Sequence, residues 1–122
     1  VFPPPSAPLG WGYPHHTPTP PPGPAPARAG VFDGPVDTAE LHAPFTSQEV
    51  VLRNALRLDD TTRVNPSGGA LAANPIMAAG LIRLGEAAAA IHRGESDRAI
   101  GHATSGPCLQ QNLVAVLEGE AV

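Results

Sequence analysis

The spacing of apolar residues after residue 30 predicts a strand, a helix, a longer helix and two closing strands. Residues 36–41 (Val-Asp-Thr-Ala-Glu-Leu) read as a short strand, entered through a turn at Gly34-Pro35. The interval then widens to a helical one. Phe45, Val51, Leu52, Ala55, Leu56 and Leu58 recur on one side, Pro44 suits a first turn, and Thr46-Ser47-Gln48-Glu49 has the spacing of a capping box. Asp59-Asp60-Thr61-Thr62 ends that helix. For the second helix the spacing predicts Asn74 as N-cap, Pro75 at the first position and Gly94 as C-cap, roughly 19 helical residues. Its middle, Ala78-Ala79-Gly80-Leu81-Ile82, is small and apolar nearly all round, the pattern of a helix held between two layers. Only two further strands follow, at 98–103 and 113–118. Complete cover for that helix is therefore expected from sequence upstream or from a partner chain.

The first 30 residues carry no such pattern. Eleven of the 16 prolines lie there, in runs such as Pro3-Pro4-Pro5, and proline fixes φ and removes backbone donors. This predicts a disordered arm over 1–30 and a folded part over 31–122, a size at which burying a core is marginal. Pro5 to Pro8 has the spacing of a Pro-x-x-Pro ligand. The chain opens at Val1 rather than methionine, which predicts truncation or processing upstream.

Composition removes several chemistries. All seven basic residues are arginine, so a Schiff-base lysine, a Walker-type phosphate lysine and a lysine general base are excluded. With net charge −4 and scattered arginines there is no nucleic-acid footprint. The single cysteine, Cys108, excludes an intrachain disulfide and a Cys-rich metal site. The absence of an 18-residue apolar run and of a secretory signal predicts no membrane span and a cytoplasmic protein.

The candidate chemistry gathers at Gly68-Gly69 and Asn74-Pro75. A flexible turn, a polar side chain and the positive end of a helix at one point make a corner that can bind a carbonyl or an oxyanion. Asn74 can also be a plain N-cap, and Gly68-Gly69 a tight turn. His42 reads either as a partly buried histidine at a strand end or as a base, and Cys108 either as an inert small hydrophobe or as a thiol of the site. His92 and His102 fit no metal spacing, and His15-His16 lacks a third ligand, so no metal site is expected.

Three segments resemble, in order, the C-terminal part of a thiolase-superfamily protein: Glu40-Leu41-His42-Ala43-Pro44-Phe45, residues 65–80 with their Asn-x-x-Gly-Gly-Ala framework, and residues 103–118. The resemblance covers 36–120. It implies the C-terminal portion of a layered αβαβα α/β fold, acyl-CoA thioesters as substrates with no other cofactor, and a homodimer or hetero-oligomer when full length. His42 stands where many thiolases have the asparagine of Asn-Glu-Ala-Phe, as in the lipid-transfer-like branch. Asn74 stands where the family has the histidine of Gly-His-Pro. Asparagine can donate to a thioester oxygen but cannot exchange a proton near pH 7, so the acid–base part of that histidine's role is missing, and His42 could hold a water or act as a base. Cys108 falls two residues beyond the family's second catalytic cysteine, and Ser105-Gly106-Pro107-Cys108 is similar to the Gly-Gly-Pro-Gly of non-thiolytic members.

The resemblance thus implies a thiolase-like acyltransferase, or an enzyme cleaving C–C bonds of acyl-CoA thioesters in lipid or steroid breakdown. Its catalytic candidates are His42, Asn74 and Cys108, with Gly68 and Gly69 binding substrate. The family's nucleophilic cysteine belongs to an N-terminal half, so this chain alone is expected to be inactive. A non-catalytic lipid-carrier or scaffold subunit and a proline-rich interaction protein are the alternatives.

Overall fold

The computed structural model describes residues 24–105 and 111–119. Cys108 and residues 1–23 of the predicted arm lie outside the described residues. Residues 24–30, inside the stretch read as an arm, form a one-turn helix and a turn. Helix α1 spans Pro24–Arg28, and the Arg98 guanidinium donates to the Gly30 and Gly34 carbonyls beyond it. Prolines 24 and 26 sit in its first turn, where the missing N–H would have no helical partner.

Strand β1 (Thr38–Glu40) is followed by α2 (Thr46–Ala55), β2 (Arg63–Val64), a single turn of helix α3 (Gly69–Ala72), α4 (Ala79–His92), β3 (Arg98–Ser105) and β4 (Gln111–Glu118). The sheet order is β2-β1-β3-β4, with β2, β1 and β3 parallel and β4 antiparallel at the edge. The connection from β1 to β2 runs one way across the sheet, and the connection from β2 to β3 runs back past β1. Since such crossovers are right-handed, their helices must lie on opposite faces.

The packing agrees with that rule. On one face, Ala99, Gly101 and Ala103 of β3 meet α4 so closely that a Cβ added at Gly80 would lie 2.6 Å from the Ala103 Cβ, and one added at Gly101 would lie 2.9 Å from the Leu84 Cα. On the other face Ile100, with Ala39 and Leu41, joins Val31, Val36 and Leu56 in the core, and Leu52, Leu58, Val114 and Val116 pack against it. Helix α2 and the cap after it therefore contribute one edge to the core through Leu52 and Leu56, while Phe45, Val50 and Val51 are exposed.

Several boundaries differ from the sequence expectation: the strands run over Thr38–Glu40, Arg98–Ser105 and Gln111–Glu118 rather than 36–41, 98–103 and 113–118. Helix α2 is capped one residue early: Phe45 N–H donates to Gln48 Oε1 at 3.1 Å and Gln48 N–H to the Phe45 carbonyl at 2.9 Å. Glu49 is thereby released to accept from Asn65 Nδ2 at 3.1 Å. Helix α4 starts at Ala79 rather than after Asn74, because residues 75–78 close a separate turn through Ala78 N–H to the Pro75 carbonyl at 2.8 Å. Asn74 is not its N-cap; its side-chain oxygen is engaged elsewhere. Gly94 does end the helix, at φ +68°.

The outer side of α4 and the loop before it are uncovered: Ile76 is 81% exposed, Met77 99% and Leu81 74%. No helix among the described residues is long and apolar enough to cross a membrane.

Candidate functional site

In an open parallel sheet, ligands bind beyond the carboxyl ends of the strands, where neighbouring connections depart in opposite directions. Here that position is between the ends of β1 and β3. His42 lies two residues beyond β1, and it is 7% exposed. Its ring reaches across to β3, where Nδ1 is 3.2 Å from the Thr104 carbonyl oxygen and 3.4 Å from the Thr104 nitrogen. On the far side of the ring, Nε2 is 3.0 Å from Asn74 Oδ1.

This placement leaves the imidazole satisfied in more than one protonation state. With the proton on Nε2, the ring donates to Asn74 and accepts from the Thr104 N–H. With the proton on Nδ1, it donates to the Thr104 carbonyl, and the bare Nε2 is satisfied once the Asn74 amide turns its NH₂ in place of Oδ1 toward the ring. As imidazolium it donates to both oxygens. One peptide group thus serves either state of Nδ1 without movement of the ring, and the outer nitrogen faces an exposed amide.

Gly68 and Gly69 sit at the same end of the sheet, beyond β2, and do not touch His42 through any hydrogen bond. Their backbone is left-handed at φ +93° and +60°, and a Cβ at Gly69 would fall 2.8 Å from the Asn65 side chain. Asn65 is itself at φ +51°. Its Oδ1 accepts the Leu41 N–H at 2.7 Å, so the side chain takes the place of a strand partner just where β1 ends.

A buried ion pair braces the turn. Glu40 and Arg83 are 1% and 4% exposed, with Arg83 Nη1 3.2 Å from Glu40 Oε2. Ser67 donates to the same carboxylate twice, from N–H to Oε1 at 3.0 Å and from Oγ to Oε2 at 2.7 Å. Arg83 Nη1 also donates to Ser67 Oγ at 3.1 Å. A carboxylate removed from water needs such partners to remain charged. The brace joins β1 two residues before His42, the turn one residue before Gly68, and the sheet-facing side of α4.

Sequence reasoning singled out His42 and Asn74, and the structure brings these two together. It missed Glu40, Ser67, Arg83 and Thr104. Arg83 offered a usable signal: it is the only charge between Ala78 and Gly85 in an otherwise apolar helix, and such a charge requires a buried partner. Thr104 offered none, since its backbone makes the contact.

Next to Thr104 on β3, His102 is 2% exposed and donates Nε2–H to Asn112 Oδ1 at 3.1 Å. Burial holds its imidazole below the ordinary value of 6.5; the Asn112 hydrogen bond opposes this and the nearby His42 adds to it. Among the described residues no group of three or more His, Cys, Asp or Glu side chains could hold a metal ion. A cleft of about 340 Å³ lies at the other end of the strands, lined by Asp37, Arg63 and Asp97. There Arg63 Nη2 already donates to Thr38 Oγ1, Ser96 Oγ and the Glu95 carbonyl.

No protein-family model, curated protein or solved structure matches the chain. The fold and the site are thus defined by the chain itself: an open mixed α/β sheet with a histidine–asparagine pair at its β1/β3 end.

Proposed function

We propose that the chain is the C-terminal part of a thiolase-like acyl-CoA enzyme, in which His42 moves a proton and Asn74 orients the thioester. The observation that carries this reading is the His42 ring held between the Thr104 peptide and Asn74. With Nδ1–H on the Thr104 carbonyl, Nε2 is free to take a proton from a carbon beside the thioester or from a thiol. The imidazolium so formed keeps its Nδ1–H donor bond. The Asn74 amide, exposed and outside any helix, can turn its NH₂ to the thioester oxygen. Gly68 and Gly69 permit close approach of the backbone, and the thiol of Cys108 is the third candidate group. In this reading the uncovered side of α4, with Leu81, receives the second α/β layer of an αβαβα fold, from the same polypeptide or an oligomeric partner acting in the cytoplasm.

One observation favours a second reading, a lipid carrier or scaffold. Ile76 and Met77, both exposed, stand directly after the Asn74-Pro75 step, where an acyl chain would lie. A carrier needs that apolar rim and not the histidine.

Calorimetric titration with acetyl-CoA and with coenzyme A separates the readings. The enzyme reading expects the thioester to bind more tightly than the thiol, by a margin that Asn74→Ala removes. Absence of binding by either compound overturns it. Binding of a long-chain acyl group unaffected by His42→Ala and Asn74→Ala would establish the carrier.

A further inference from the structure

Among the described residues, two buried polar atoms on β3 have no hydrogen-bond partner: His102 Nδ1 and Thr104 Oγ1. Buried polar groups are nearly always paired, so each of these calls for a partner. They are two residues apart on one strand, and alternate residues of a strand share a face. That face is the one carrying Ile100, opposite α4, as the register of Ile100 with Val116, His102 with Val114 and Thr104 with Asn112 requires.

Their chemistry is complementary to a single small molecule. His102 uses Nε2–H on Asn112 Oδ1, which leaves Nδ1 as a bare lone pair able only to accept. Thr104 offers a hydroxyl that can donate. Residues i and i+2 of a strand stand about 6.6 to 6.8 Å apart. Two hydrogen bonds of about 2.8 Å meeting at one oxygen span that gap once side chains lean toward each other.

We propose that β3 holds an internal water site, with one molecule donating to His102 Nδ1 and accepting from Thr104 Oγ1. The site takes water because the ligand must donate to a bare imidazole nitrogen and accept from a hydroxyl two residues along the same strand, and water does both. It lies on the far face of the residue whose backbone serves His42, so Thr104 has two duties: its peptide group holds His42, and its hydroxyl holds the water. With the water bound, both ring nitrogens of His102 are satisfied in the neutral Nε2–H tautomer. The proposal does not depend on the thioester reading.

Nitrogen-15 NMR of histidine-labelled protein tests it, because the shift of a bare imidazole nitrogen moves when it accepts a hydrogen bond. In the wild type and in Thr104→Ser, His102 Nδ1 should show an unprotonated nitrogen accepting a hydrogen bond. In Thr104→Val it should move toward the unbonded position. A Nδ1 shift that is the same in all three proteins, or a protonated Nδ1, overturns the proposal. A high-resolution crystal structure of the wild type decides the matter should Thr104→Val fail to fold. Density for one water within hydrogen-bond distance of both atoms supports the site, and its absence or a direct side-chain partner refutes it.

Discussion

His42 and Asn74, 32 residues apart in the chain, meet through a 3.0 Å hydrogen bond between Nε2 and Oδ1. One closes β1 and the other precedes the turn that leads into α4, so the bond ties the sheet to the helix layer at the end where ligands of open sheets bind. Asn74 is exposed, and a typical hydrogen bond of this kind contributes about 0.5 to 1.5 kcal/mol. Asn74→Ala should therefore cost at most about 1.5 kcal/mol in urea unfolding while altering the His42 ring resonances. A larger loss would mean that Asn74 holds the helix start as well.

The Glu40–Arg83 pair should behave differently because it is buried. Arg83→Met leaves the carboxylate with Ser67 alone and should destabilise by about 3 to 5 kcal/mol. Glu40→Leu combined with Arg83→Met removes both charges and should recover a substantial part of that loss. Denaturant unfolding of the two singles and the double gives the coupling; additive losses would show that the charges do not depend on each other.

Glycines at the contact between α4 and β3 and a glycine on the exposed side of α4 give opposite predictions. Gly80→Ala and Gly101→Ala force a Cβ against Ala103 and against the Leu84 backbone, and should each cost about 1 to 3 kcal/mol. A Cβ at Gly85 meets nothing within 4 Å, so Gly85→Ala should stabilise by about 0.5 to 1 kcal/mol through helix propensity. Thermal melts of the three variants check the sign at each position.

Stability should fall in mild acid through His102. Its folded value lies below 6.5, so between the two values the unfolded chain binds more protons than the folded one. Unfolding free energy then rises with pH across that window: the contribution is complete above about pH 7 and is lost as pH falls from 6.5 through the folded value. Compared between about pH 7.5 and pH 5.5, His102→Phe should show a shallower loss than the wild type. Equal slopes for wild type and His102→Phe would remove His102 from the pH response.

What the sequence made legible was local. The strand within 36–41, found at Thr38–Glu40, both long helices and the closing strands follow from apolar spacing, and His42 and Asn74 from residue chemistry placed beside a glycine turn. The helix start was misplaced because an asparagine before a proline is a strong cap signal, and nothing local reveals that its oxygen is bound to a histidine 32 residues earlier. The capping box slipped by one residue because Gln48 and Glu49 are equally able to close it, and Asn65 claims Glu49. The strand order β2-β1-β3-β4 and the Thr104 peptide at the site depend on long-range pairing, which residue spacing does not encode.

The most direct measurement of the central claim is the nitrogen-15 and proton spectrum of the His42 ring during addition of acetyl-CoA, with coenzyme A as the control. The account predicts that the thioester moves His42 to the tautomer with its proton on Nδ1, held by the Thr104 carbonyl, while Asn74 turns from the ring to the ligand; coenzyme A should leave the ring largely unchanged. His42 signals that ignore the thioester, or that respond identically to both compounds, would contradict it.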